Sequence, residues 1–233
     1  MNWFQKVFNI KSGTDYANTA STITNGIGIK GTNVWLMICS ALLASIGLDT
    51  NSTAVIIGAM LISPLMAPIL GVGYSVGVQD REIFIRSIRN LAYATFFSLL
   101  TAVLYFLLTP LGEPTSEILA RTKPTLLDIG IGFFGGVAGI VSGSRKESTT
   151  ALPGVAIATA LMPPVCVAGF GLATGRWEIF GGAFYLFFIN SAFIAFSTYL
   201  IVKLLKFPIT AYVEKGKQKK VRRAALAVLF LVS

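Results

Sequence analysis

Histidine is absent from all 233 residues. That removes His-ligated zinc sites, His general bases and Ser-His-Asp triads from consideration. Charge is scarce as well. Only 12% of residues are charged, against about 25% in a soluble domain. With 54% hydrophobic residues and a mean hydropathy of +0.73, there is too little polar surface to clothe a water-soluble globule. Cysteine is reduced to Cys39 and Cys166, each inside an apolar run, where it serves as a small hydrophobe rather than a disulfide partner. The acids Asp15, Asp49, Asp80, Glu82, Glu113, Glu117, Asp128, Glu147, Glu178 and Glu214 fall in tails, loops or the first turn of an apolar run. No mid-membrane carboxylate pair and no nucleophile with a matching base can be assembled, so no enzyme, metal site or cofactor is expected.

What is present is apolar length. Runs long enough to cross a bilayer, about 20 residues at 1.5 Å each, recur six times. The predicted architecture is an all-α polytopic membrane protein. Residues 1–31 form a cytoplasmic or interfacial segment without a signal peptide. Within it, residues 2–10 place Trp3, Phe4, Val7 and Phe8 on one face of a short interfacial helix. Residues 32–108 form one membrane repeat, 109–124 a polar connection, 125–205 a second repeat, and 206–233 a basic cytoplasmic tail.

The repeat rests on a gapless alignment of residues 47–84 over 143–180, in which 11 of 38 positions are identical. Chance in so apolar a composition gives roughly three or four. Six of the matches are Gly, Pro, Ser or Thr, residues that dictate backbone geometry. Orientation follows from charge. If all six runs cross, 16 of the 19 Lys and Arg lie on the side of the N-terminus, which the positive-inside rule makes cytoplasmic for both termini. Three crossings per repeat is odd, so the second copy is predicted to be inverted. The formal charge of +9 is then loop charge, and no nucleic-acid partner is expected.

The middle helix of each repeat is predicted to break at Pro and Gly. Ser63, Pro64 and Pro68 sit near the middle of the second run, and Thr159, Pro163 and Pro164 near the middle of the fifth. Paired breaks in inverted repeats point to a midplane solute site; packed proline kinks are the alternative. Asn190, in the sixth run, is a further candidate for the pathway or for helix-to-helix bonding. Arg86 and Arg89 on the third helix suit either a basic vestibule or contact with lipid phosphates. Gly132, Gly136, Gly139 and Gly143 form a small-residue stripe for close packing within or between subunits, and a homo-oligomer is expected. Ser52-Thr53 and Ser148-Thr149 read as N-caps, and Glu82 and Glu178 as first-turn acids offsetting a helix dipole. The tail residues Lys215, Lys217, Lys219, Lys220, Arg222 and Arg223 suit anionic headgroups.

The stretch Gly58-Ala-Met-Leu-Ile-Ser-Pro-Leu-Met-Ala-Pro68, with Asp80-Arg-Glu-Ile-Phe84 and Ala160-Leu-Met-Pro-Pro164, resembles the prokaryotic "uncharacterised hydrophobic domain" membrane proteins, domain of unknown function 389. The likeness covers about residues 33–205. It implies a multi-pass protein of a bacterial or archaeal plasma membrane and supplies no site residues. The expected function is a transporter or channel for a small solute or ion. The alternative is a membrane scaffold or sensor with a basic tail.

Overall fold

A computed structural model describes residues 13–28, 31–109, 112–145 and 161–209. Among the described residues the regular structure is entirely helical: α1 (Tyr16–Gly26), α2 (Gly31–Asp49), α3 (Thr53–Ile62), α4 (Met66–Val78), α5 (Arg81–Leu108), α6 (Ser116–Leu119), α7 (Leu126–Gly143), α8 (Met162–Ala173) and α9 (Trp177–Leu204). The interfacial helix predicted at residues 2–10, and the tail beyond residue 209, lie outside them.

Local chemistry sets the ends. The Asp15 carboxylate accepts from Asn18 N at 3.0 Å to open α1, and Asp80 accepts from Ile83 N at 3.0 Å to open α5. These carboxylates satisfy donors that have no partner within a helix's first turn. Ser52 stands at the N-cap of α3 as expected, but its side chain makes no capping bond. Thr53 instead donates its hydroxyl to Glu117 of α6.

Among the described residues four helices, α2, α5, α7 and α9, are long and apolar enough to cross a membrane, and α3 with α4 forms an apolar pair bent by 51°, long enough together for a broken span or a re-entrant loop. At 1.5 Å per residue, even the 18 residues of α7 reach about 27 Å, close to a bilayer core. The molecule is therefore a multi-pass helical membrane protein. Of the predicted fifth run, the described residues contribute the 12 residues of α8, and its earlier part lies outside them.

Polarity is distributed as lipid requires. Leu108, Leu126 and Phe134 are 86%, 85% and 71% exposed, whereas Ser40, Ser45, Ser87, Ser98 and Ser197 are buried between helices. Small hydroxyls let helices approach, and those of Ser40, Ser87 and Ser197 donate to backbone carbonyls. Ser40 Oγ donates to Ala59 O at 3.0 Å, tying α2 to α3. Trp35 and Trp177 stand exposed near the starts of α2 and α9, where an aromatic belt belongs.

On the alignment register of the sequence, three helix bounds coincide. Arg81 and Leu108 of α5 fall on Trp177 and Leu204 of α9, and Met66 of α4 falls on Met162 of α8. Gln79, at φ 62°, falls on Gly175, at φ 68°. The following amides make the same closing bond, Asp80 N to Ser75 O at 2.9 Å and Arg176 N to Gly171 O at 2.8 Å. Packing follows suit: α4 lies between α5 and α9, and α8 likewise. A methyl on Gly73 of α4 would come 2.6 Å from Thr198 Cβ of α9, and one on Gly169 of α8 would come 2.6 Å from Ala102 Cβ of α5. Gly73 aligns with Gly169, and Ala102 with Thr198.

Two hydrophobic clusters fill the interior. The larger joins α2, α3, α4, α5, α8 and α9 around Leu48, Ile69, Val165 and Phe170. The smaller joins α1, α4, α7 and the end of α9. There Phe207 packs edge-on between Tyr16 and Tyr74, at 4.9 and 5.6 Å between ring centroids.

Candidate functional site: the facing breaks of α4 and α8

The first break is chemically explicit. Proline disfavours helical backbone in the residue before it, and Ser63 stands at φ −67°, ψ 124°. Pro64 also lacks the N–H that would continue α3. Four carbonyls lose their usual donors here. Ser40 Oγ takes Ala59 O, and Ser63 N takes Met60 O at 3.3 Å. Leu65 N turns to Ser63 Oγ at 3.5 Å. For the carbonyls of Leu61 and Ile62 no donor is found among the described residues.

At the second break the prolines act differently from the mid-helix interruption expected of them. Pro163 and Pro164 occupy the first turn of α8, and Pro68 the first turn of α4. In a first turn the missing N–H costs nothing, because no intrahelical acceptor exists for it. Each proline deletes a donor that would otherwise be unpaired in hydrocarbon. Among these described prolines, Pro68, Pro163 and Pro164 sit where a helix begins, and Pro64 interrupts one.

The two starts meet. Met60, Ser63, Leu65 and Met66 share a cavity of about 10 Å³ with Leu161 and Met162. That is at the lower limit for one water. The N-caps Leu65 and Leu161 occupy aligned positions, both with right-handed helical backbone. Cys166 Sγ donates to Ala41 O at 3.7 Å, fastening α8 to α2 beside this centre. Ser63 and Pro64 are half-buried, while Pro68, Pro163 and Pro164 are buried. Thr159 lies outside the described residues.

Other candidates stand apart. Asn190 is 3% exposed on α9, facing Gly132 of α7. Gly136 meets Ile194 and Ser197 of α9, so at these two positions the glycine stripe packs within the chain. Arg86 and Arg89 line a separate groove on α5.

Sequence reasoning passed over Asp49. It is the last residue of α2 and only 7% exposed. Its Oδ2 accepts from Tyr105 OH at 3.0 Å and Thr109 Oγ1 at 2.9 Å, binding the ends of α2 and α5. Its Oδ1 has no partner among the described residues. A carboxylate that ends an apolar run looks solvated in sequence, and only the packing of α5 covers it.

No solved structure matches the chain. A relative from Methanocaldococcus jannaschii, an uncharacterized protein, is 30% identical over 188 residues, covering 78% of this chain and 58% of the relative. The chain thus spans somewhat more than half of that protein's length. Residues 60–196, which hold both helix starts, match the family described as a domain of unknown function, DUF389. With the larger part of its length so matched, the chain belongs to the DUF389 family.

Proposed function

We propose that the protein conducts a small solute or ion across the membrane along a path between the starts of α4 and α8. The supporting observation is the cavity shared by Ser63, Leu65, Met66, Leu161 and Met162. Helix N-termini carry a positive partial charge, and two of them border this cavity. Because Pro68, Pro163 and Pro164 remove donors from both first turns, the ends offer field more than hydrogen bonds. That combination favours a small anion, or a solute bearing an anionic group, held weakly enough to leave. A cavity of about 10 Å³ is too small to pass a solute, so conduction requires α4 and α8 to part.

The matched helix bounds and the paired crossings at Gly73 and Gly169 support two inverted three-helix repeats and six spans. In that arrangement the paired helix starts fall together at mid-membrane, where alternating access needs them.

The test uses the chain in liposomes with Cys39 and Cys166 replaced by Ser and cysteines at Met66 and Met162. A flux panel of halides, phosphate, small carboxylates and uncharged solutes identifies the conducted species. Joining the two introduced cysteines with a short bifunctional reagent should stop its flux, and reduction of a cleavable reagent should restore it. A scaffold or sensor would give no flux above protein-free liposomes for any solute; that result, or flux indifferent to the cross-link, overturns the proposal.

A further inference from the structure

The outer face of α5 carries a feature that conduction between α4 and α8 does not use. Arg86 and Arg89 are exposed, and among the described residues neither has a carboxylate within ion-pair distance. Glu82 lies one turn away on α5 and is not paired with Arg86. Both arginines line a groove of about 580 Å³ with Gly28, Asn90, Tyr93, Phe96 and Phe97. Asn90 is buried and donates its Nδ2 to Ile27 O, which fixes the turn forming one wall. Phe97 also lines a second groove, of about 590 Å³, between α2 and α5, whose lining is mostly apolar, with Ile38, Leu42, Leu100 and Leu104 beside the hydroxyls of Thr101, Tyr105 and Thr109.

The order along the helix is that of an amphiphile. Two cations come first, then aromatic rings, then aliphatic side chains. Residues 91–108 contain no charge and rise about 27 Å, the depth of a bilayer core. Arg86 and Arg89 therefore fall at one polar boundary. From Arg89 to Leu100 is about 16 Å of rise, the depth of one leaflet. An unpaired guanidinium fork matches phosphate oxygens in bidentate fashion, and no acid lines either groove.

We propose that this groove is a specific site for one anionic phospholipid of the leaflet nearer Arg86, its phosphate on Arg86 and Arg89 and an acyl chain along Tyr93, Phe97 and Leu100. The site is independent of the conduction path. It differs from diffuse attraction of lipid to basic loops because the groove of the headgroup cations and the chain groove adjoin at Phe97.

The chain is purified in detergent, and retained lipid is counted by native mass spectrometry after addition of equal phosphatidylglycerol and phosphatidylcholine. One phosphatidylglycerol should be held in preference. R86Q/R89Q should weaken it about thirtyfold, at about 1 kcal/mol per charge, and R86K/R89K should recover a part. Leu100→Trp, on an exposed position, should also weaken it, and a dihexanoyl phosphatidylglycerol should bind less well than a dipalmitoyl one. A variant with Gln at Lys215, Lys217, Lys219, Lys220, Arg222 and Arg223 should keep the bound lipid. Equal retention of phosphatidylcholine, displacement by millimolar inorganic phosphate regardless of chain length, or loss with the tail variant but not with R86Q/R89Q would each overturn the site. So would a second copy of the chain occupying this face, seen as a dimer that R86Q/R89Q or Leu100→Trp dissociates.

Discussion

Gln79 holds φ at 62° to end α4, a conformation that costs an L side chain roughly 1–2 kcal/mol. Gly175 makes the aligned turn at φ 68° without a side chain. Gln79→Gly should therefore raise stability by about 1 kcal/mol after the added freedom of the unfolded chain is set against the relieved strain. Thermal unfolding in detergent measures it, and an unchanged or lower midpoint would refute the assignment. Single residues were unequally legible in the sequence. The interruption at Pro64 could be read directly, since proline acts through its own ring and its neighbour's backbone. The duty of Pro163 and Pro164 could not, because a proline pair at mid-helix and one in a first turn look alike until the helix start is located. Asp49 was hidden for another reason: its burial is made by Tyr105 and Thr109, more than fifty positions away.

Among the elements, α6 is the shortest and the most heavily tied. Thr115 Oγ1 donates to Leu48 O at 2.6 Å, while Asn51 Oδ1 accepts from Ser116 Oγ at 2.9 Å and Glu117 N at 3.1 Å. The Glu117 carboxylate receives Thr53 Oγ1 on one oxygen and Arg121 at 2.6 Å on the other. The Thr53 hydrogen bond, then Arg121, hold its pKa below the ordinary value of 4.5 against the opposing effect of burial. A lowered pKa makes this stabilisation complete above the unfolded value and removes it as pH falls through the folded one. Acidification below about pH 4.5 should thus release α6 from α2 and α3. Hydrogen-exchange protection at Ser116 and Glu117, measured against the intrinsic rate, should fall in acid, and Glu117→Gln should flatten that dependence. Protection that ignores pH would contradict the assignment. Packing of α7 on α9 gives a second expectation. A side chain at Gly136 would run into Ser197 and approach Ile194 O to 2.7 Å, so Gly136→Leu should destabilise by about 3 kcal/mol. A normal unfolding midpoint would show that α7 can move away freely.

For the molecule as a whole, length and composition announced a membrane protein, and the described helices agree in kind and largely in place. The long helices were legible because apolar length is a property of contiguous residues. How they surround one another was not, since a uniformly apolar helix carries little sign of which face meets protein and which meets lipid. Small residues supplied what signal there was: Gly73, Gly132, Gly136 and Gly169 all mark close crossings. The proposed inverted orientation makes a direct expectation about sidedness. Single cysteines at Asn51 and Glu147, in a chain cleared of Cys39 and Cys166, should be labelled by an impermeant reagent from opposite faces of sealed vesicles. Labelling of both from one face would end the inverted arrangement.

The paired crossings at Gly73 and Gly169 carry a genetic consequence. Each joins a helix of the first half to one of the second, so neither half possesses a closed interior: α4 is completed by α9, and α5 by α8. Such a fold can arise when a half-length gene is duplicated and fused, after which each copy keeps the other's contact surface. It should then survive being cut again. Fragments 1–123 and 124–233, divided in the polar connection and expressed together, should complement one another and co-purify, whereas either fragment alone should be degraded. Independent accumulation of the two fragments without association would mean that the halves are ordinary neighbours, each sufficient to itself.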